Sequence, residues 1–318
     1  MILKWDELKD ANASGYRQLR FPVHCEHEIY YAIDPTGNRC ILFYINDRNH
    51  SDMIRDNSFK NISLETKKIY SKAVIVLTLL DNGFSDIFDY FIGSILESLV
   101  DVTTESVAID RYLQCYNKWV ELFHATSSGL KEKDVIGLIG ELLMFEHVLN
   151  YSGASAVDVI NSWRGPYGKG HDFELGGTFI EVKAIDRNKQ LVNISSEYQL
   201  DFLSHQTLFL VVYELEASTD ENSFTISALV RKIADLLRSG SVINTEGFWK
   251  ALSKAGVNLT NIHEYDMFTF KLSECIIYKV DAEKFPSIKR SALPDAIVDV
   301  KYRLSLDAIS EFKFPNIF

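Results

Sequence analysis

The sequence is short of the residues that mark cross-linked, secreted or membrane proteins. Its 318 residues include 4 cysteines, 6 prolines and 4 methionines. Cys25, Cys40, Cys115 and Cys275 lie far apart with no Cys-x-x-Cys pair, which excludes a disulfide framework or Cys-rich zinc site and reads as reduced thiols. No apolar run reaches membrane-spanning length, and Met1-Ile2-Leu3-Lys4-Trp5-Asp6 does not open a secretory signal. A cytoplasmic protein without a membrane partner is expected. A nucleophile elbow (Gly-x-Ser-x-Gly), a phosphate loop ending Gly-Lys-Ser/Thr and a Gly-x-Gly-x-x-Gly turn are all missing. Positive charge is also scarce: 33 Lys and Arg face 44 Asp and Glu, a net charge of −11. That opposes tight, nonspecific binding of a bare duplex. It leaves room for a local basic groove, bound cations or a partner that delivers nucleic acid.

What is present reads as three regions. Residues 1–126 form an α+β region that begins rich in strands. Ile29–Ile33 and Cys40–Ile45 flank the turn-forming Asp34-Pro35-Thr36-Gly37-Asn38. A further apolar run, Ala73–Leu80, stops at Asp81-Asn82-Gly83, and Phe84–Val100 and Glu105–Phe123 carry helical periodicity. Ser127-Ser128-Gly129 marks a boundary before a core over residues 127–216. Residues 217–318 follow as a second α+β region, with helices expected at Ile226–Arg238 and Thr245–Ala255 and strands at Phe268–Val280 and Ala296–Leu306. His24-Cys25-Glu26-His27 gathers metal-capable side chains, but a strand would send them alternately to opposite faces.

Lys131–Asn150 reads as a helix apolar around almost its whole circumference, so it is buried on most faces. Gly137 and Gly140 weaken its helix propensity and point to close backbone packing. Glu141 stands in the middle of the apolar surface, where an unpaired carboxylate is costly.

The chemistry lies in Gly170-His171-Asp172-Phe173-Glu174-Leu175-Gly176-Gly177-Thr178-Phe179-Ile180-Glu181-Val182-Lys183-Ala184-Ile185. Gly176-Gly177 between two strand-like runs signals a two-residue hairpin. A tight turn would set Leu175 opposite Thr178, Glu174 opposite Phe179, Phe173 opposite Ile180 and Asp172 opposite Glu181, with opposed Cβ atoms roughly 4.5–5.5 Å apart. Lys183 would share the face of Glu181, while Ile180, Val182 and Ala184 would point into a core. Opposed carboxylates destabilise a ladder. A divalent cation between them resolves the conflict, since Mg²⁺ takes one or two carboxylates plus water and phosphate oxygens. Such an ion polarises a phosphate and lowers the pKa of a bound water. Lys183, kept protonated by the carboxylates, would orient that water or stabilise charge developing on the phosphate.

The order helix Glu, then Asp, then Glu-x-Lys resembles the PD-(D/E)XK superfamily of restriction and repair nucleases. Gly137-Leu138-Ile139-Gly140-Glu141-Leu142, Trp163-Arg164-Gly165-Pro166, His171-Asp172-Phe173 and Ile180-Glu181-Val182-Lys183-Ala184 look like a bacterial family known by that motif, itself similar to restriction-system and phage-defence nucleases. The resemblance implies Asp172 and Glu181 as metal ligands, Lys183 as the catalytic lysine and Glu141 as an auxiliary metal or water ligand. His171 stands where the superfamily usually has proline, a position without a chemical role. Trp163, Arg164, Lys169, His171 and Arg187 are the candidate substrate contacts.

The expected fold is α/β (α+β): a restriction-endonuclease-like mixed sheet flanked by helices, between the two outer regions. The expected activity is Mg²⁺-dependent hydrolysis of DNA phosphodiester bonds, with Mn²⁺ as a substitute, within a restriction or anti-phage system. DNA, protein partners of that system and, for cutting both strands, a homodimer are the implied partners. The −11 charge favours a rival from another class, a non-catalytic partner-binding subunit that retains the fold. A third reading keeps the chemistry and changes the substrate to RNA.

Overall fold

The computed structural model describes residues 3–8, 14–21, 25–46, 57–58, 61–124, 129–168, 170–203, 205–239, 245–258 and 261–318. The chain divides into two compact units, Met1–His124 and Ala125–Phe318.

In the first unit, strands β1 (Arg17–Arg20), β2 (Ile29–Ile33), β3 (Arg39–Ile45), β4 (Asn57–Ser58), β5 (Ile62–Ile69) and β6 (Lys72–Leu79) form one antiparallel sheet, ordered β1-β2-β3-β6-β5-β4. The expected turn joins β2 to β3. Asp34 Oδ1 accepts from the backbone N–H groups of Thr36 and Asn38, and Gly37 takes φ 94°. The strands are apolar on both faces. Ala32, Cys40, Leu42, Tyr44, Val74 and Val76 pack on one side. On the other, Phe43 meets Tyr112 from α2 (Glu105–His124), which follows α1 (Ser85–Leu99). Of His24-Cys25-Glu26-His27, His24 lies outside the described residues. Buried His27 is bound to the Val102 carbonyl, so that group holds no site.

In the second unit, α3 (Glu132–Tyr151) and α4 (Ala156–Ser162) precede β7 (Phe173–Leu175), β8 (Thr178–Asp186), β9 (Leu191–Ile194) and β10 (Thr207–Ala217). α5 (Ile226–Ser239), α6 (Glu246–Lys254), β11 (Phe270–Val280) and β12 (Tyr302–Ser305) complete it. The main sheet runs β11-β10-β8-β7. β8 and β10 are parallel and the other pairs antiparallel, which gives the mixed, restriction-endonuclease-like sheet. The division expected at 216/217 falls inside β10, whose partner β11 is an edge of the same sheet. Residues 217–318 are therefore part of this unit, not a region apart. Ser127 and Ser128, at the other expected boundary, lie outside the described residues. The strand expected over Ala296–Leu306 shrinks to β12, which pairs with β9.

β8 carries the site because its two faces meet different layers. On one face Gly140 of α3 comes so close that a Cβ there would lie 2.9 Å from Ala184 Cβ and 3.3 Å from Val182 Cγ1. Gly137 faces open space, so only one of the two helix glycines serves close packing. On the other face, Ile185 of β8 and Leu208, Leu210 and Val212 of β10 pack with Val192, Ile194, Leu304, Leu306 and Ile309. Glu181 and Lys183 project into this second layer.

Candidate active site

The Gly176-Gly177 hairpin forms with the expected register: Leu175 pairs with Thr178, Glu174 with Phe179 and Phe173 with Ile180. Both glycines have positive φ, 57° and 85°, the two-residue turn geometry that β-carbons disfavour. The ladder then ends one step early. Asp172 makes no backbone pair with Glu181. Its carbonyl instead accepts from the N–H groups of Arg164 (2.7 Å) and Gly165 (3.1 Å), and its carboxylate Oδ2 accepts from the N–H of Val182 at 2.7 Å. Short β7 leaves the Val182 N–H open at the sheet edge, and the Asp172 side chain takes the place of a strand.

Glu181 is 1% exposed. Its Oε1 accepts from Lys183 Nζ at 2.6 Å, and its Oε2 is buried with no hydrogen-bond partner. Glu141 reaches the same place from α3. Its Oε2 accepts from Trp163 Nε1 at 2.7 Å. A Cβ on Gly165 would lie 2.2 Å from Glu141 Oε2 and 3.0 Å from Asp172 Oδ1, so both carboxylates close over the bare α-carbon of Gly165.

Three carboxylates and one amine in a half-dry site leave negative charge in excess. Burial, then the charge of Asp172, pushes Glu141 up to about 8, against the pull of Trp163 and Lys183. Burial raises Asp172, opposed by Lys183 and the Val182 N–H. Burial, followed by Asp172 and Glu141, drives Glu181 well above the carboxylate range, against Lys183. Burial alone would lower the Lys183 amine, but Glu181, Asp172 and Glu141 outweigh it and hold it above the ordinary lysine value. Lys183 is therefore a charged donor at neutral pH.

Among the described residues, no three His, Cys, Asp or Glu side chains stand as a ready set of metal ligands. The donor set suits a hard divalent cation all the same. It is all oxygen, it holds one buried orphan oxygen on Glu181, and its carboxylates repel one another. Two carboxylates with water satisfy Mg²⁺.

The family model that matches residues 1–307 of the 318 is described as "Putative PD-(D/E)XK family member, (DUF4420)". The chain belongs to this family. Its fold is accordingly a PD-(D/E)XK nuclease fold, and this superfamily generally works with divalent metals. No curated protein and no solved structure matches the chain. No helix among the described residues is long and apolar enough to cross a membrane.

Within the PD-(D/E)XK site the other sequence candidates fare unequally. Trp163 is 1% exposed and stacks edge-on with Phe145, so it is closed to substrate. Its indole N–H orients Glu141 instead. His171 is likewise buried, against Phe179, and does not face solvent as a substrate contact would. Arg187 lies four residues past Lys183, roughly 13 Å along the strand, and pairs with Glu216. Lys169 lies outside the described residues. Arg164 is exposed beside the site and 3.7 Å from Glu174. Sequence reading missed Gly165 as the floor of the carboxylates, although its place before Pro166 marked a turn. It also missed Tyr302 of β12. Burial raises its phenol, and Lys183 and Glu181 also act on it. A tyrosine more than a hundred residues downstream carried no local signal.

Proposed function

We propose that this chain is a divalent-metal-dependent nuclease that hydrolyses DNA phosphodiester bonds, acting in the cytoplasm within a restriction or anti-phage system. The supporting observation is the buried, unpartnered Glu181 Oε2 beside Asp172, with Lys183 on the other oxygen. Asp172 and Glu181 would hold Mg²⁺, or Mn²⁺ in its place, and Glu141 would join as an auxiliary metal or water ligand. When bound, the ion supplies Lewis acidity and a water of lowered pKa. Lys183, whose amine the carboxylates hold above the ordinary lysine value, donates to the water or to the phosphate oxygen that gains charge. Trp163 and the Val182 N–H fix the carboxylates of Glu141 and Asp172.

Purified protein incubated with supercoiled and linear DNA in Mg²⁺ or Mn²⁺ should cut, and a Lys183→Ala control should not. Equal cutting by both would trace the activity to a contaminant. The −11 charge supports a second reading, a non-catalytic subunit of a defence complex. Calorimetric titration with Mn²⁺ separates the two: no heat with the native protein, or undiminished binding by Asp172→Ala, favours the subunit. RNA offered beside DNA tests the substrate.

A further inference from the structure

Next to the carboxylates an open cleft of about 650 Å³ is lined by Arg164, Tyr167, Gly170, Glu174 and Lys254. That volume is in the range that takes a small ligand. Its walls differ from the rest of this acidic chain, with two cations facing one acid. Arg164 and Lys254 are exposed, and the Tyr167 ring is 46% exposed. Tyr167 belongs to the single helical turn Gly165–Tyr167, which is pinned where Arg164 and Gly165 donate to the Asp172 carbonyl. Gly165 of that turn underlies Glu141 and Asp172. Only Pro166 separates it from Tyr167, so the α-carbon that carries the ring lies within about 7 Å of the carboxylate floor.

We infer that this cleft binds an unpaired nucleotide of a single nucleic-acid strand, with its base on the Tyr167 ring and its flanking phosphates at Arg164 and Lys254. A base inside a duplex is stacked on both faces and cannot lie on a tyrosine; an unpaired one can. Stacking does not depend on net charge, which lets a protein of −11 hold a strand that bulk electrostatics would repel. The inference deepens the nuclease reading and rests on it for the meaning of the site. It names a strand with an unpaired nucleotide at the cleft, not continuous duplex, as the form recognised.

The test is fluorescence anisotropy of the full chain in chelator, so that nothing is cut. The probes are a labelled single-stranded oligothymidylate, its duplex and thymidine monophosphate. The native protein should bind the single strand more tightly than the duplex. Tyr167→Ala should weaken binding about tenfold, while Tyr167→Phe, which keeps the ring, should stay within about twofold. Lys254→Ala should reduce the salt slope by about 0.7. Native-like binding by Tyr167→Ala, duplex bound as well as single strand, or monophosphate competing as well as oligonucleotide would each overturn the inference. The two readings fail separately. Cleft-dependent binding without metal-dependent cutting removes only the nuclease, and cutting indifferent to Tyr167→Ala removes only the nucleotide cleft.

Discussion

The indole nitrogen of Trp163 lies 2.7 Å from Glu141 Oε2, joining the C-terminal end of α4 to the middle of α3 through one hydrogen bond. This bond pulls the Glu141 carboxyl down while burial and Asp172 push it up. Trp163→Phe keeps an aromatic ring but removes the donor together with the rest of the packed indole. It should cost about 1–3 kcal/mol of stability. Without the donor the Glu141 pKa rises further, so the acidic limb of a metal-dependent activity should move to higher pH. A pH–rate profile beside a melting curve checks both; an unmoved limb would leave Trp163 a packing residue only.

Glu181 and Lys183 form a close pair at 1% and 15% side-chain exposure. Removing one partner of such a pair leaves a buried charge and costs about 3–5 kcal/mol. Lys183→Met should therefore lower stability sharply. Adding Glu181→Gln should restore most of the stability and none of the cleavage. Denaturant unfolding of the two single variants and the double variant measures the coupling.

Stability of the metal-free protein should fall with rising pH. The folded-state value of Glu141, about 8, is above its ordinary 4.5. The stabilisation this brings is complete below about 4.5 and is lost as pH rises towards about 8. Glu141→Gln should flatten that slope and raise the metal-free melting temperature at pH 8 by a few degrees, on the order of 2–4 °C per kcal/mol. Mg²⁺ should raise the native melting temperature most at the alkaline end. A native pH slope no steeper than that of the Gln variant would contradict the charge balance described for the site.

The two glycines of α3 should respond with opposite signs. Gly137 faces open space, and Gly137→Ala should stabilise by up to about 1 kcal/mol through helix propensity. A Cβ on Gly140 meets Ala184 at 2.9 Å, and Gly140→Val should cost about 1–3 kcal/mol as α3 is driven off β8. Urea midpoints of both variants are the measurement.

Gly165→Ala should act on the site more than on the fold. Its added methyl enters the space of Glu141 Oε2, the end of a side chain already tied to Trp163. Metal affinity should fall at least about tenfold, or about 1.4 kcal/mol, with a small change in melting temperature. Undiminished Mn²⁺ binding by this variant would remove Gly165 from the site.

Much of this was legible because local rules dominate it. Gly176-Gly177 set the hairpin register through its turn geometry, and alternation along β8 put Glu181 and Lys183 on one face. Glu141 stood out as one acid on an apolar helix. Where sequence reading failed, the decisive contact was tertiary. A tryptophan beside an arginine reads equally as surface or core, and only the packing of Phe145 shows that Trp163 is inside. The fourth ladder pair gave way to the Val182 N–H because β7 stops at Phe173, which no pattern before it announces. The division at 216/217 failed because β11 returns to β10 across helices that look like the start of another domain.

The layer over Glu181 and Lys183 is finished by β12 and the residues after it. Without that cover the Glu181 carboxylate and the Lys183 amine would face water, which weakens their pairing. A chain lacking β12 would hold both groups but not the dry surroundings that give them their strength.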